Sequence, residues 1–227
     1  MKVDITSRPA YSIAYVRLSQ GESVFAESGS LVAMSAGIEA SATLPGGVVQ
    51  SVARRLVASE SLVMARYTAH VEGAWVSLSP HFPGDVLAVD LTPTSPLCVQ
   101  SGSLLAHGEH LEVGAAIGNI QTVALREGVT VLVAVGSGPL VLAAYGGLER
   151  FDLNAGEQIV VDSGHLAAWS ASMQIRVGPL AGVVSSVLTG EGIVAEMTGP
   201  GTVFLQTRAE QQLRSWLLPE RAHNRRS

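Results

Sequence analysis

The residues best suited to chemistry in this sequence sit together at His107-Gly108-Glu109-His110-Leu111-Glu112. Two imidazoles three residues apart could converge on a cation from one helical turn, with Glu109 or Glu112 adding an oxygen ligand. The neighbouring residues argue against a helix. The cluster follows Ser101-Gly102-Ser103 and runs into the alternating stretch Val113 to Ile117, so it reads as a polar, solvated hairpin tip. His165 occupies the place that Ser30 and Ser103 hold in two similar turns, so that place accepts different polar groups and requires no catalytic imidazole. Glu60, Glu127 and Glu191 also recur at matching positions. Brought near one axis, their like charges would raise one another's pKa or bind a cation. The simpler role is to accept backbone N–H bonds, each in its own turn.

Weaker patterns add little. Gly190-Glu191-Gly192-Ile193-Val194-Ala195 matches a loose dinucleotide fingerprint without a βαβ context. No Gly-x-Ser-x-Gly elbow, Walker loop or zinc-protease helix is present. The single cysteine, Cys98, lies in an apolar run and reads as a small buried hydrophobe in a reducing compartment. No residue is assigned a catalytic, cofactor-binding or metal role, no cofactor is expected, and the chain reads as a non-enzyme.

The elements that would position these residues are organised by a recurring turn. Ser28-Gly29-Ser30-Leu31-Val32-Ala33 returns as Ser101-Gly102-Ser103-Leu104-Leu105-Ala106 and as Ser163-Gly164-His165-Leu166-Ala167-Ala168. A second signal follows each copy: Glu60, Glu127 and Glu191 precede apolar runs that lead to Gly73, Gly138 and Gly201. Two signals in one order imply three related β units, over about residues 18–84, 85–155 and 156–207 of a single domain 1–207. Short strands broken by Gly and Pro predict an all-β roll or barrel with pseudo-threefold arrangement. The turn glycines are expected to need positive φ, and Gly102→Val is then expected to cost more than ~1 kcal/mol.

Three segments stand apart. Val3 to Leu18, holding Pro9, predicts an entry strand or two near an edge. Val48 to Ala58 has helical spacing, with Val48, Val52 and Leu56 on one face and Arg54 and Arg55 opposite. Arg208 to Leu218 predicts an amphipathic helix carrying Leu213, Trp216 and Leu217, stopped by Pro219 and followed by a disordered basic tail.

Charge and hydropathy narrow the partners. Residues 1–207 hold 9 basic and 17 acidic side chains, a balance of −8, whereas residues 208–227 hold 5 basic and 2 acidic, a balance of +3. An acidic body repels a phosphate backbone, so no nucleic-acid partner is expected. Charged residues make up only 15% of the chain, which predicts that copies of itself cover part of the surface. The uncharged span Val129 to Leu148 is centred on Gly136-Ser137-Gly138-Pro139 and reads as a buried β-hairpin rather than a membrane helix. Arg54, Arg55, Arg221, Arg225 and Arg226, with Trp216 as an anchor, form a weak membrane-surface signal. Met1 to Leu18 has no secretory pattern, and a cytoplasmic location is expected.

The C-terminal pattern Gly190-Glu191-Gly192, then Thr198-Gly199-Pro200-Gly201-Thr202-Val203-Phe204-Leu205-Gln206-Thr207-Arg208, resembles the signature of a widespread bacterial family of unknown function. That family is related to the yeast mitochondrial biogenesis protein called altered inheritance of mitochondria. Val161 to Ala168 and Ala26 to Met34 are similar to its third and first turns. The resemblance extends to about residue 208. It implies a roll like that of the tryptophan RNA-binding attenuator protein, usually self-associated, and no established reaction. The expected function is a self-associating scaffold or interaction module, a homo-oligomer and most simply a trimer. The resemblance links it to membrane or organelle biogenesis. The alternative is a small-molecule or metal-binding protein with a pocket between the β units.

Overall fold

The computed structural model describes residues 1–43, 64–116, 130–179 and 193–217. The first strands are β1 (Lys2–Thr6), β2 (Ile13–Leu18), β3 (Ser23–Glu27), β4 (Leu31–Met34), β5 (Ile38–Thr43), β6 (Met64–Ala69) and β7 (Ala74–Leu78). Six more follow: β8 (Val86–Leu91), β9 (Leu97–Gln100), β10 (Leu104–Gly108), β11 (Leu111–Ala115), β12 (Val131–Gly136) and β13 (Gly138–Ala143). The last six are β14 (Leu148–Leu153), β15 (Gln158–Asp162), β16 (Leu166–Ser170), β17 (Gln174–Pro179), β18 (Ile193–Thr198) and β19 (Gly201–Gln206), ahead of helix α1 (Glu210–Leu217). The fold is all-β, as expected. Period-two patterning makes it so: in β2, Ala14, Val16 and Leu18 are buried while Tyr15 and Arg17 between them face outward.

The pairings recur. β2 pairs with β7, β7 with β4, β3 with β6 and β6 with β5, all antiparallel. β8 pairs with β13, β13 with β10, β9 with β12 and β12 with β11. β14 pairs with β19, β19 with β16, β15 with β18 and β18 with β17. Even the irregularities match, with a register shift between Leu31 and Ala33, Leu104 and Ala106, and Leu166 and Ala168. β14 is tied to β19, so the strand from Leu148 groups with the residues after it rather than with residues 85–155.

Two further pairings link these sets. β10 pairs with β3, placing His107 opposite Phe25, and β16 pairs with β9, placing Trp169 opposite Cys98. Four sheets result, in the orders β1-β2-β7-β4, β5-β6-β3-β10-β13-β8, β11-β12-β9-β16-β19-β14 and β15-β18-β17.

Three apolar clusters stack these sheets in series. The first joins Val16 and Val76 of the first sheet to Val24, Leu105 and Val141 of the second. The second cluster joins Leu104, Leu140 and Leu142 to Val99, Leu132 and Phe204 of the third sheet. The third joins Cys98, Trp169 and Val203 to Val161, Ala195 and Met197 of the fourth. Adjacent residues of β10, Leu104 and Leu105, thus enter different cores, and every residue of that strand is buried. The central strands β10 and β16 of the inner sheets are covered on both faces and read as near-continuous apolar runs for that reason.

This layering corrects two expectations. β12 and β13 are successive strands joined at Ser137, but they are not a hairpin: β12 lies in the third sheet and β13 in the second. The same holds at residues 109–110, because β10 and β11 belong to different sheets. Each turn is a corner between layers, which alternation along one strand does not reveal.

Gly102 corrects a third. It lies in a short 3-10 turn, is absent from the positive-φ positions, and a Cβ there would meet nothing within 4 Å. Among the three turn glycines only Gly29 has positive φ, at 89°. The helix expected at Val48 to Ala58, the stop at Pro219 and the basic tail lie outside the described residues.

Candidate functional site: two open strand edges

The recurring pairings leave two strands over. β3 and β9 each gain a partner from the following set of strands, through Ala26 with Ala106 and Val99 with Ala168. Their counterpart in the last set, β15, pairs among the described residues on one side only, with β18. The counterpart of β10 and β16 in the first set is β4, which among the described residues pairs on one side only, with β7. Three sets of strands make two junctions, so one strand of each kind remains unmatched.

The side chains register the difference. Met34 occupies the position of His107 and Trp169; it is 39% exposed, against 7% and 1% for the other two. Val160 occupies the position of Phe25 and Cys98; it is 54% exposed, whereas Cys98 is fully buried. Leu31 and Val32 are exposed as well, so the whole of β4 presents apolar groups to solvent. An edge strand with unpaired N–H and C=O groups is a template for another strand unless charge or proline blunts it. β4 reads Leu-Val-Ala-Met and holds neither.

Beside β15 lies a shallow, open depression of about 270 Å³, lined by Glu149, Val160, Val161, Asp162, His165, Leu205, Gln206 and Thr207. The local fold fixes its polar rim. His165 Nδ1 lies 2.8 Å from the Gln206 carbonyl oxygen, so that nitrogen carries the proton and donates. Gln206 donates from Nε2 to the Gly164 carbonyl and accepts at Oε1 from the Tyr145 N–H. Asp162 accepts from the Gly164 N–H at 2.8 Å, closing the turn that presents His165. These groups satisfy one another. His165 anchors the turn through Nδ1, and its Nε2 lies 3.5 Å from Gln212 Nε2.

The other sequence candidates are dispersed. His107 is buried, not solvated: its ring stacks on Phe25 with centroids 5.1 Å apart, and Nδ1 donates to the Gly108 carbonyl at 2.9 Å. Burial pushes its pKa down, against a smaller opposing effect of that hydrogen bond. Glu109, His110 and Glu112 are exposed at the corner and start of β11. Among the described residues no three His, Cys, Asp or Glu side chains group as metal ligands. Cys98 is buried as expected, and burial pushes its thiol up to about 11. Ile193, Val194 and Ala195 open a strand, where a dinucleotide fingerprint requires a helix. Trp216 and Leu217 stand exposed on α1, which buries none of its residues. Glu60, Glu127, Glu191, Arg54, Arg55, Arg221, Arg225 and Arg226 lie outside the described residues. Among the described helices none is long and apolar enough to cross a membrane.

Sequence reasoning passed over Leu31, Val32, Met34 and Val160. The signal that could have found them was the count of repeats against junctions, since apolar residues in a strand look alike whether or not the strand has two neighbours.

A family model described as "Mitochondrial biogenesis AIM24" matches residues 3–208. The chain belongs to that family. An uncharacterized protein of Streptococcus pyogenes serotype M6 is 23% identical over 219 residues, covering 91% of this chain and 86% of the relative. The crystal structure of a Streptococcus pyogenes protein superposes with a TM-score of 0.77 at 23% identity, covering 95% of this chain and 97% of that one. At that identity the likeness is one of fold. The family match spans all 19 described strands except the first residue of β1, and it ends just before α1.

Proposed function

We propose that this member of the family is a non-enzymatic scaffold that works by associating with copies of itself, three closing into one symmetric assembly in the cytoplasm. The observation that carries the reading is the pair of open edges, β4 and β15, each with a partner on one side only among the described residues, β4 bearing neither charge nor proline and β15 exposing Val160. A soluble protein rarely leaves such edges bare. The low charged fraction of 15% supports the same reading. The non-enzymatic part is supported by the state of the described candidates: Cys98 is sealed, His107 is stacked, and His165 is held by its own turn. The acidic body speaks against nucleic acid as a partner. The family description motivates a link to membrane or organelle biogenesis, and exposed Trp216 and Leu217 offer α1 an apolar contact for a membrane surface.

A small-molecule role would use the depression at His165, where Gln206 and His165 Nδ1 already hold partners within the fold. Native mass spectrometry of the purified protein separates the readings. Multiples of the bare chain mass are the expected result. A monomer at micromolar concentration overturns the scaffold, and extra mass lost on denaturation transfers the proposal to ligand binding.

A further inference from the structure

We infer that β4 of one copy adds antiparallel to β15 of a second copy, in the register Ala33 with Val161, Met34 with Val160 and Ser35 with Ile159. The inference rests on the self-association reading and specifies its surface, its partner and its geometry. The register is set by the two junctions inside the chain. There, Ala106, His107 and Gly108 face Ala26, Phe25 and Val24, and Ala168, Trp169 and Ser170 face Val99, Cys98 and Leu97. Counting from the Ser-Gly turns that open at Ser28, Ser101 and Ser163 places Met34 with His107 and Trp169, and Val160 with Phe25 and Cys98. The same turns carry the same register shift, so the β4 edge has the shape of the two strands that already pair.

The occupant is a second copy, not the chain's own other end. β4 borders the first sheet and β15 the fourth, with two sheets and three cores between them. Stacked sheets lie about 10 Å apart, which separates the outer ones by about 30 Å, whereas paired strands lie about 4.8 Å apart. The first core contains no residue after Ala143 and the third none before Cys98, so the described ends share no packing that would draw them together. Pairing between copies would merge the fourth sheet with the first sheet of the next copy in the order β17-β18-β15-β4-β7-β2-β1. Its first six strands repeat the pattern of both inner sheets. The same contact would cover the depression beside Val160 and the exposed face of β4.

Mixed cysteine variants test this. Directly opposed residues in an antiparallel pair have Cα atoms about 4.5–5.5 Å apart, within disulfide reach. Met34→Cys chains mixed with Val160→Cys chains, unfolded together, refolded and mildly oxidised, should give a disulfide-linked heterodimer in excess of either homodimer. Wild-type Cys98 is buried and does not compete. As a second measurement, Met34→Lys and Val160→Lys should each weaken association at least tenfold while leaving the melting temperature of the separated chain unchanged. A multimer by mass spectrometry with neither cross-link nor sensitivity to lysine overturns this register and leaves self-association standing. A double Met34→Cys/Val160→Cys chain that closes its disulfide within a monomer overturns the second copy as occupant. A wild-type protein that never exceeds its monomer mass overturns both.

Discussion

His107 on β10 lies against Phe25 on β3, ring centroids 5.1 Å apart and planes 13° from parallel, across a junction between two sets of strands. The Arg66 guanidinium carbon is 5.7 Å from the centroid of the same phenyl ring, and Arg66 also donates to Ser23 Oγ from Nε and Nη2. A neutral imidazole, a phenyl and a guanidinium therefore share one small region at the interface of β3, β6 and β10.

Acid should loosen that junction first. Burial lowers the pKa of His107 in the folded chain below the ordinary value of 6.5. The unfolded state then takes up its proton at higher pH than the folded state does. Stability from this group is full above about pH 6.5 and declines as pH falls towards the depressed folded value. Melting temperatures measured from pH 7.5 to 5 should drop, and His107→Phe should flatten the slope. A variant with the same slope as wild type would remove His107 as its source.

Asp85 provides a second acid-sensitive point. Burial alone would raise its pKa, but Arg8, the Ser12 hydroxyl and the Val86 N–H all bind its carboxylate and hold it below the usual range. Arg8 contributes bonds of 2.8 and 2.7 Å, Ser12 one of 2.9 Å. A depressed carboxylate stabilises the fold above its unfolded pKa, about 3.9, and the contribution disappears as pH falls through the folded value. Asp85→Ala removes the shared acceptor of Arg8, Ser12 and Val86 and should cost about 2 kcal/mol by urea unfolding at pH 7. At pH 3 the gap between variant and wild type should shrink.

Cys98 should be chemically silent. With its thiol pushed up to about 11 and fully buried, almost no thiolate exists at pH 8. A coloured disulfide reagent should react with one thiol per chain in denaturant and with almost none in buffer. Rapid labelling of the native protein would contradict its place in the third core.

The two turn glycines should respond unequally to the same change. Gly29 has φ at 89° and a Cβ there would approach His81 Nε2 at 3.2 Å, so Gly29→Val should cost about 1–3 kcal/mol. Gly102→Val meets open space at ordinary φ and should change stability by no more than about 0.5 kcal/mol. Thermal melts of both variants settle the comparison.

Much of the strand pattern was legible because it is local. Ile38, Ala40 and Ala42 alternate with Glu39, Ser41 and Thr43 over the bounds of β5, and the paired signals at Gly29 and Gly73 mark matching places in all three sets of strands. What was not legible is which layer each strand enters. Leu132 and Leu140 look equivalent in sequence, yet one is held by the third sheet and the other by the second. Burial of His107 was also hidden, since its neighbours Glu109 and His110 are polar and only pairing with Phe25 across the junction takes its ring out of water. The open edges depend on what a strand lacks, and composition carries no record of a missing neighbour.

The threading of the chain has a mechanical result. Each run of six strands is divided between two adjacent sheets, so neither inner layer is made by one continuous stretch. No plane through the described layers separates an N-terminal from a C-terminal half without cutting a sheet shared by both. The described layers accordingly offer no boundary at which a cleft could open, and pulling on the termini should give one rupture rather than a series of three.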